Sequence, residues 1–577
     1  MLDYSHLIKY MVLFSKEKLE HYVGEEILEQ LVTDWEDSSQ RAMTKNDLAD
    51  MVLRLSGSAI LKDVEFRKDI LWHMEKENVD YIYKGLPEKK QKTDASIEDK
   101  IEGIVLQTWK ESPSNNRLLE YLHIGQEVFL KKNIDDSVIT IHQSASRFYE
   151  LLDYQYVIKQ RILNELNKNN QLTKMLVHMP TGTGKTKTMM HTLVHYYTFS
   201  LKKKGLIIWL AHTTELLQQA FDTFSQVWEN LGDGEVISYK IWGNRNINEV
   251  KEFQGIMFCG IQKLQSIKQS QSEVFEKIVF SARLIVFDEA HKAAASETRE
   301  LVDSLMVKKS GMQDRSLFGL TATPGRTTLT SDENKLLTNM FDRRMIGIDI
   351  DTITKMNLSE IEYINTKVTS NVIAYFQERK ILSKLKKEQL TYDEDFSAEQ
   401  LSKIKVSMTN NGYSDFNKKT LEIIGKNRNR NRAIMKKLRE LAIQEKPTIV
   451  FACSVTHAKL LSYMLSLDNI SNALVIGDMT PGEREKAIAD FKDRNCAVNF
   501  LINFEVLTTG FDSTNIQCVF ITRPTQSIVL YSQMLGRGLR GPKMGGNEEC
   551  LLVDIKDNLG KYDADMAFNH FDAYWNS

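Results

Sequence analysis

The chain has 577 residues, 42% hydrophobic and 26% charged, with a mean hydropathy of -0.34: the balance of a soluble globular protein too long for one core. Its 75 Lys+Arg and 77 Asp+Glu leave a formal net charge of -2. That excludes a polybasic tail-type binder but leaves room for a basic groove on a near-neutral whole. Five cysteines stand singly with no CxxC pair, which argues against a zinc ribbon or disulfide framework and for a reducing cytoplasm.

The first ten residues carry Asp3, His6 and Lys9, which does not read as a cleavable signal peptide. No stretch approaches the ~18 uninterrupted apolar residues of a membrane span. Residues 1–150 hold 20 Lys+Arg against 28 Asp+Glu, and the rest of the chain holds 55 against 49. This acidic first segment reads as helix nearly throughout. Residues 7–35 and 64–83 are long amphipathic stretches. Ile97, Ile101, Ile104, Val105, Thr108 and Trp109 share one face at helical spacing, behind a cap at Ser96.

From about residue 150, short apolar runs alternate with helical sequence. They lie at 175–179, 206–210, 284–287, 448–451, 500–502 and 518–521, rich in Ile, Val and Phe. Buried parallel strands read this way, so the expected class is doubly wound α/β. Between about 365 and 445, lysine-rich helical sequence predicts a connector. No repeat of solenoid period and no low-complexity tract interrupts the pattern.

Pro180-Thr-Gly-Thr-Gly-Lys-Thr186 follows the first of these strands and opens a helix running to about 199. Glycines let backbone N–H groups converge on phosphate oxygens, and a helix start adds positive potential. Thr181, Gly182, Thr183 and Gly184 would cradle ATP, Lys185 would reach the β/γ-phosphates, and the Thr186 hydroxyl would bind Mg²⁺. The general pattern has Gly at position 179, where this chain has Met179. About one domain-length downstream, Leu284-Ile-Val-Phe-Asp288-Glu289-Ala290-His291 brings two carboxylates to a strand end. Asp288 is placed to hold Mg²⁺ and Glu289 to polarise an attacking water.

With both motifs present, residues 150–560 resemble the superfamily 2 helicase-type ATPases in their DEAH form. Leu152-Asp-Tyr-Gln155 resembles the adenine-reading motif, which implies Gln155 on the base. Ala211-His-Thr213-Thr214 and Gly260-Ile-Gln262 resemble the first nucleic-acid-contacting motifs. Thr321-Ala-Thr323, together with His291, resembles the coupling motif that links hydrolysis to domain movement. In the second half, Val450-Phe-Ala-Cys-Ser454 resembles a strand-contacting turn. Gly477-Asp-Met-Thr480 with Glu483-Arg484 resembles the helix start after it. Leu507-Thr508-Thr-Gly510-Phe-Asp512 resembles the motif that senses nucleotide and nucleic acid. Gln533-Met-Leu-Gly-Arg537-Gly-Leu-Arg540 resembles the arginine-finger motif. The resemblance implies catalysis by Lys185, Glu289, Gln533, Arg537 and Arg540, with Gly510 and Asp512 on the nucleotide. It also implies Thr213, Thr214, Gln262, Ser454 and Thr508 on nucleic acid.

The expected architecture is two tandem RecA-like P-loop lobes, 146–350 and 446–577. A connector of 351–445 joins them, and an acidic helical domain of 1–145 precedes them as a protein-interaction module. The pattern from residue 509 to 554 looks closest to DNA-acting branches, RadD-like proteins and restriction-enzyme motors, although the C-terminal cysteine cluster common in RadD-like chains is absent. The expected function is a cytoplasmic ATP- and Mg²⁺-dependent DNA helicase or translocase in repair or genome defence. The alternatives are a motor or sensor subunit of a restriction or anti-phage complex, and an RNA-dependent ATPase. The run Asn427-Arg-Asn-Arg-Asn-Arg432 reads as a solvated helix start with an arginine or two paired inside the connector, and not as a site.

Overall fold

The computed structural model describes all residues except 1–3, 26, 29–42, 93, 126–128, 130–136, 145–148, 169–172, 244, 246, 248–252, 294, 308–314, 326–330, 357–370, 394–395, 398, 401–414, 480, 494, 497, 509, 512, 526 and 556–577. The chain divides into two compact units. One comprises Met1–Ile134, Leu390–Ile404 and Asn417–Val506; the other comprises Asp135–Gln389, Lys405–Phe416 and Leu507–Ser577.

In the unit that holds the chain start, the acidic segment is helical as expected, but in shorter pieces than its periodicity suggests. Residues 5–23 break into helices Ser5–Met11 and Lys16–Val23, because Ser15 turns extended and its side chain accepts from Lys18 N. Residues 64–83 break into Val64–Trp72 and Lys76–Tyr83. Ser96 does cap the next helix, in a capping box with Asp99, but that helix ends at Val105. Thr108 and Trp109 therefore lie beyond it. Arg67 ends the turn there: its buried guanidinium donates to Leu61 O at 2.6 Å and Val105 O at 2.7 Å, and lies over the Trp109 ring. A fully buried arginine is tolerated because its charge meets carbonyls that helix ends leave unpaired.

The same unit contains three parallel strands in the order Asn472–Val475, Phe500–Asn503, Thr448–Phe451. Helices Arg428–Ile443, Val455–Leu467 and Pro481–Lys492 accompany them. The N-terminal helices are fastened here through Ser58. It is fully buried, and both its N–H (3.2 Å) and its hydroxyl (2.5 Å) donate to Glu483 Oε1. Lys62 adds a longer, exposed bond to Asp478 O.

The other unit is built on an eight-stranded sheet. Its strands are β1 (Ile139–Gln143), β2 (Lys174–His178), β3 (Leu206–Ala211), β4 (Glu235–Ile241), β5 (Gly255–Gly260), β6 (Ala282–Asp288), β7 (Ser316–Thr321) and β8 (Met345–Ile346). The order is β1-β4-β5-β3-β6-β7-β2-β8, parallel throughout except for the edge pairing of β1 with β4. β3 and β7 are buried at every position, which is why their sequences run apolar without alternation. One face packs Ile208, Leu210, Met257, Ile285 and Phe287 into a continuous core; Trp209, Phe258, Phe224 and Trp228 are packed away from solvent as well. Fully burying one such side chain contributes about 1.5–3 kcal/mol, so the sheet is a rigid platform for whatever stands on its edge. A further parallel pair, Cys518–Ile521 with Glu549–Ile555, completes the described strands near the chain's end.

Ser58→Ala should lower the unfolding free energy by about 1–3 kcal/mol, because it removes the buried hydroxyl donor to the Glu483 carboxylate and leaves Ser58 only its longer backbone N–H bond. Lys62→Ala, which removes an exposed contact, should change it by less than about 0.5 kcal/mol. Urea unfolding followed by circular dichroism distinguishes the two; equal effects would place the fastening elsewhere.

Candidate nucleotide site

Parallel pairing of β6, β7 and β2 delivers three chain segments to one sheet edge. β2 leads into the loop 179–184, β7 ends at Thr321, and β6 ends at Asp288. The carboxyl edge of an open α/β sheet is where such folds bind ligands. Met179, the departure from the usual glycine, continues the strand: its N–H donates to Thr321 O at 3.2 Å and its side chain is fully buried. The left-handed conformations fall instead at Gly182 (φ 85°) and Gly184 (φ 81°), the latter immediately before the helix Lys185–His195. A Cβ on Gly184 would lie 2.4 Å from Gln155 Nε2, so only glycine fits both the turn and the approach. The helix expected to run to about 199 is α-helical to His195 and continues as a π-turn over Tyr196–Ser200.

The loop is held from below. Tyr154 OH donates to Thr183 O at 2.8 Å, and Gln155 Nε2 donates to the same carbonyl at 3.0 Å. Gln155 Oε1 accepts from Leu152 N, so the buried amide of Gln155 braces the loop with both of its ends. Lys185 Nζ rests on Met179 O (3.2 Å) and Pro180 O (3.4 Å), long contacts that phosphate oxygens can replace. Its ammonium lies below the ordinary lysine range. Burial is the largest cause and Arg537 adds to it, against the opposing pull of Glu289 and Asp288. Thr186 follows, half-buried, in the first turn of the helix.

The two carboxylates differ. Asp288 is pushed well above the usual carboxylate range by burial and by the neighbouring charge of Glu289. Burial works the same way on Glu289, but His291, Lys185, Lys292 and Arg537 outweigh it and hold Glu289 below its ordinary value. Glu289 sits at φ 52°, a left-handed conformation rare outside glycine, which turns its side chain off the strand direction.

His291 joins the site together. Its Nδ1 lies 3.3 Å from both Glu289 Oε2 and Thr321 Oγ1, and its Nε2 lies 3.3 Å from Gln533 Nε2. Thr321 Oγ1 gives its proton to Thr323 O at 2.8 Å and accepts Thr323 N–H at 3.1 Å. One tautomer satisfies every contact: Nδ1–H donates toward Glu289 and Thr321, while Nε2 accepts from the Gln533 amide. On the neighbouring strand, burial keeps His178 neutral, at about 3, with its Nε2 3.1 Å from Ala322 O.

The segment carrying Gln533 approaches closely. Thr181 Cγ2 would lie 2.4 Å from a Cβ on Gly536, leaving no room for a side chain there. Arg537 donates to Phe511 O and, at 3.1 Å, to Thr508 O, so its guanidinium is anchored on the turn that also carries Gly510 (φ 70°). Arg540 Cγ comes within 3.6 Å of the Cβ position of Gly182. The predicted nucleotide-facing residues Lys185, Thr186, Asp288, Glu289, His291, Thr321, Thr323, Gln533, Arg537 and Arg540 thus fall on neighbouring strand ends and the loops against them. Asp512 lies outside the described residues.

Residues 148–326 match the family model described as "Type III restriction enzyme, res subunit", and residues 431–541 match the helicase conserved C-terminal domain. The chain belongs to the superfamily 2 helicases. It is 26% identical over 413 residues to the putative ATP-dependent helicase IRC3 of Saccharomyces cerevisiae, covering 70% of this chain and 51% of that protein. It is 24% identical over 416 residues to the putative mitochondrial ATP-dependent helicase irc3 of Schizosaccharomyces pombe, covering 71% and 58%. The match thus spans little more than half of either relative's length. Among solved structures, S. cerevisiae Dbp5 bound to RNA and ADP BeF3 aligns with a TM-score of 0.43 at 14% identity, over 73% of this chain and 87% of that one.

The predicted nucleic-acid contacts are spread over both units. Thr213 and Ser454 are helix N-caps, accepting from Leu216 N at 3.3 Å and His457 N at 3.1 Å. Thr214 and Gln262 are exposed at the first turns of helices that follow β3 and β5. Thr508 contributes its carbonyl to Arg537. The run 427–432 is less solvated than its composition suggests. Asn427 caps the helix, Arg430 is fully buried with its guanidinium 3.6 Å from Cys453 Sγ, and Asn431 bonds Gly425 O and His457. Arg428 and Arg432 point outward. Sequence reasoning missed Tyr154, whose place directly before Gln155 is the signal that could have found it.

Gln533→Leu keeps the side-chain volume and removes the donor to His291. It should lower kcat for ATP about ten- to a hundredfold with little change in KM, since a lost positioning bond is worth about 1–3 kcal/mol. Steady-state ATP turnover measures this, and an unchanged kcat would remove His291 and Gln533 from the coupling path.

Proposed function

We propose that the chain is an ATP-driven helicase or translocase whose track is DNA. The observation that carries the ATPase part is the meeting, around His291, of the Asp288–Glu289 pair, the Lys185 loop and the Gln533–Arg540 segment. Lys185 supplies positive charge to the β/γ-phosphates, the loop amides orient them, and Glu289, held ionised, accepts a proton from the attacking water. Arg537 and Arg540 stand close enough to stabilise charge that develops on the transferred group. Asp288 and Thr186 are the residues suited to hold Mg²⁺. The Asp288 carboxyl would bind the metal in its ionised form, which the cation itself would favour, and the metal would neutralise phosphate charge.

Cations and caps at the strand ends favour a grip on phosphates over bases, hence movement with little sequence preference. The restriction-enzyme family matched by residues 148–326 supports DNA as the track. It also supports a second reading, in which the chain is the motor or sensor of a restriction or anti-phage complex. On that reading, the acidic N-terminal helices would receive a partner protein.

Lys185→Ala should lower ATP turnover more than about a hundredfold. In the unaltered protein, single-stranded or duplex DNA should raise kcat at least about tenfold, and RNA should not. Turnover measured with each polymer decides the track: stimulation by RNA alone would replace DNA with RNA, and an active Lys185→Ala would overturn the site.

A further inference from the structure

We infer that Arg379 is a positioning residue that ties the nucleotide loop to the placement of Arg540. The inference rests on the ATP-site reading above, and Arg379 and Ser383 themselves have no part in the motifs. Asp153 opens the helix Asp153–Leu166, whose next two residues, Tyr154 and Gln155, hold the Thr183 carbonyl of the loop. Arg379 grips Asp153 with both arms of its guanidinium: NH1 lies 2.9 Å from Oδ1 and NH2 lies 2.9 Å from Oδ2. Both side chains are largely withdrawn from water, at 10% and 15% exposure, so the pair is little screened. The guanidinium also donates to Tyr375 OH at 2.8 Å, and Phe376 packs on the Tyr154 ring with centroids 4.7 Å apart.

The chain then crosses at once to the other half of the site. Ser383 N donates to Leu539 O at 2.9 Å, Gly541 N donates to Ile381 O at 2.9 Å, and Leu382 and Arg540 form an antiparallel bridge. The Ser383 hydroxyl stands 2.5 Å from Arg540 O and 2.7 Å from Asn547 O. Leu382 and Arg540 both come within 3.6 Å of the Cβ position of Gly182 in the loop. Five residues, Arg379 to Ser383, therefore bind the support of the phosphate loop at one end and the backbone of Arg540 at the other. A planar, two-pronged pair fixes orientation as well as distance, which a single lysine contact does not. Closing the loop on a nucleotide would thereby be transmitted to Arg540 through five residues of backbone.

The test is steady-state ATP turnover by the full chain with a saturating polynucleotide, alongside its thermal melting without nucleotide. Arg379→Gln should raise KM for ATP about tenfold and lower kcat about tenfold. Arg379→Lys should retain part of both, and exchanging the pair, Asp153→Arg with Arg379→Asp, should recover more activity than either single change. Ser383→Ala should lower kcat a few-fold and leave KM alone, and it decides the matter if Arg379→Gln does not fold. Wild-type KM and kcat in folded Arg379→Gln, or unchanged kcat in Ser383→Ala, would overturn the inference. So would a drop in melting temperature with normal kinetics, the mark of a purely structural pair. Lys185→Ala separates the two levels: if it loses ATP turnover while Arg379→Gln is normal, only the positioning role fails.

Discussion

The site depends on one histidine that must serve three neighbours with a single ring proton. His291 touches Glu289 and Thr321 through Nδ1 and Gln533 through Nε2. Because Thr321 has already given its proton to Thr323 O, it can only accept from His291. That forces the proton onto Nδ1 and leaves Nε2 to accept from the Gln533 amide. With the proton on Nδ1, the 3.3 Å contact between Nε2 and the Gln533 amide is a donor–acceptor pair. The Glu289 carboxylate, the turn at the end of β7 and the segment carrying the arginines are thereby linked through one planar group.

The sheet makes that link stiff. β6, β7 and β2 are adjacent and parallel, so Asp288, Thr321 and the phosphate loop leave from a common edge. Interiors packed as closely as this one transmit small displacements instead of absorbing them. At this edge the backbone departs from ordinary geometry at three neighbouring points, Glu289 at φ 52° and Gly182 and Gly184 in left-handed turns. Strain at a site and regularity beneath it are what a platform with a working edge requires.

How much of this was legible in the sequence depended on how local the cause was. Uninterrupted apolar runs gave β2, β3 and β6, because a strand buried on both faces must be apolar at every position. The glycines and Lys185 announced the loop, because phosphate binding demands left-handed turns before a helix start. The acid pair could be placed because an apolar run, about one domain-length downstream, delivers it to a strand end. What periodicity could not give was where helices stop: the Arg67 guanidinium that ends the turn after Val105 is 38 residues away from it. Nor could it show that Met179, just past the end of β2, donates its N–H to Thr321 O, or that Gln155 braces the loop with both ends of its amide, since both depend on contacts between distant segments.

Formal charge misleads for the same reason. Outside the acidic first 150 residues the chain carries an excess of cations, yet several of them are already committed. Arg379 is paired with Asp153, Arg523 with Asp415 at 2.9 Å, Arg430 is buried against Cys453, and Lys185 belongs to the phosphate loop. A buried, paired arginine offers nothing to a polyanion at the surface, because its field is cancelled at source by its partner. On the proposed reading, phosphate recognition would draw on the remaining surface lysines and arginines and on backbone N–H groups at helix starts, of which those capped by Thr213 and Ser454 are examples. The backbone N–H groups carry no formal charge and are invisible to any count, so a near-neutral chain and a polyanionic track are compatible for a structural reason.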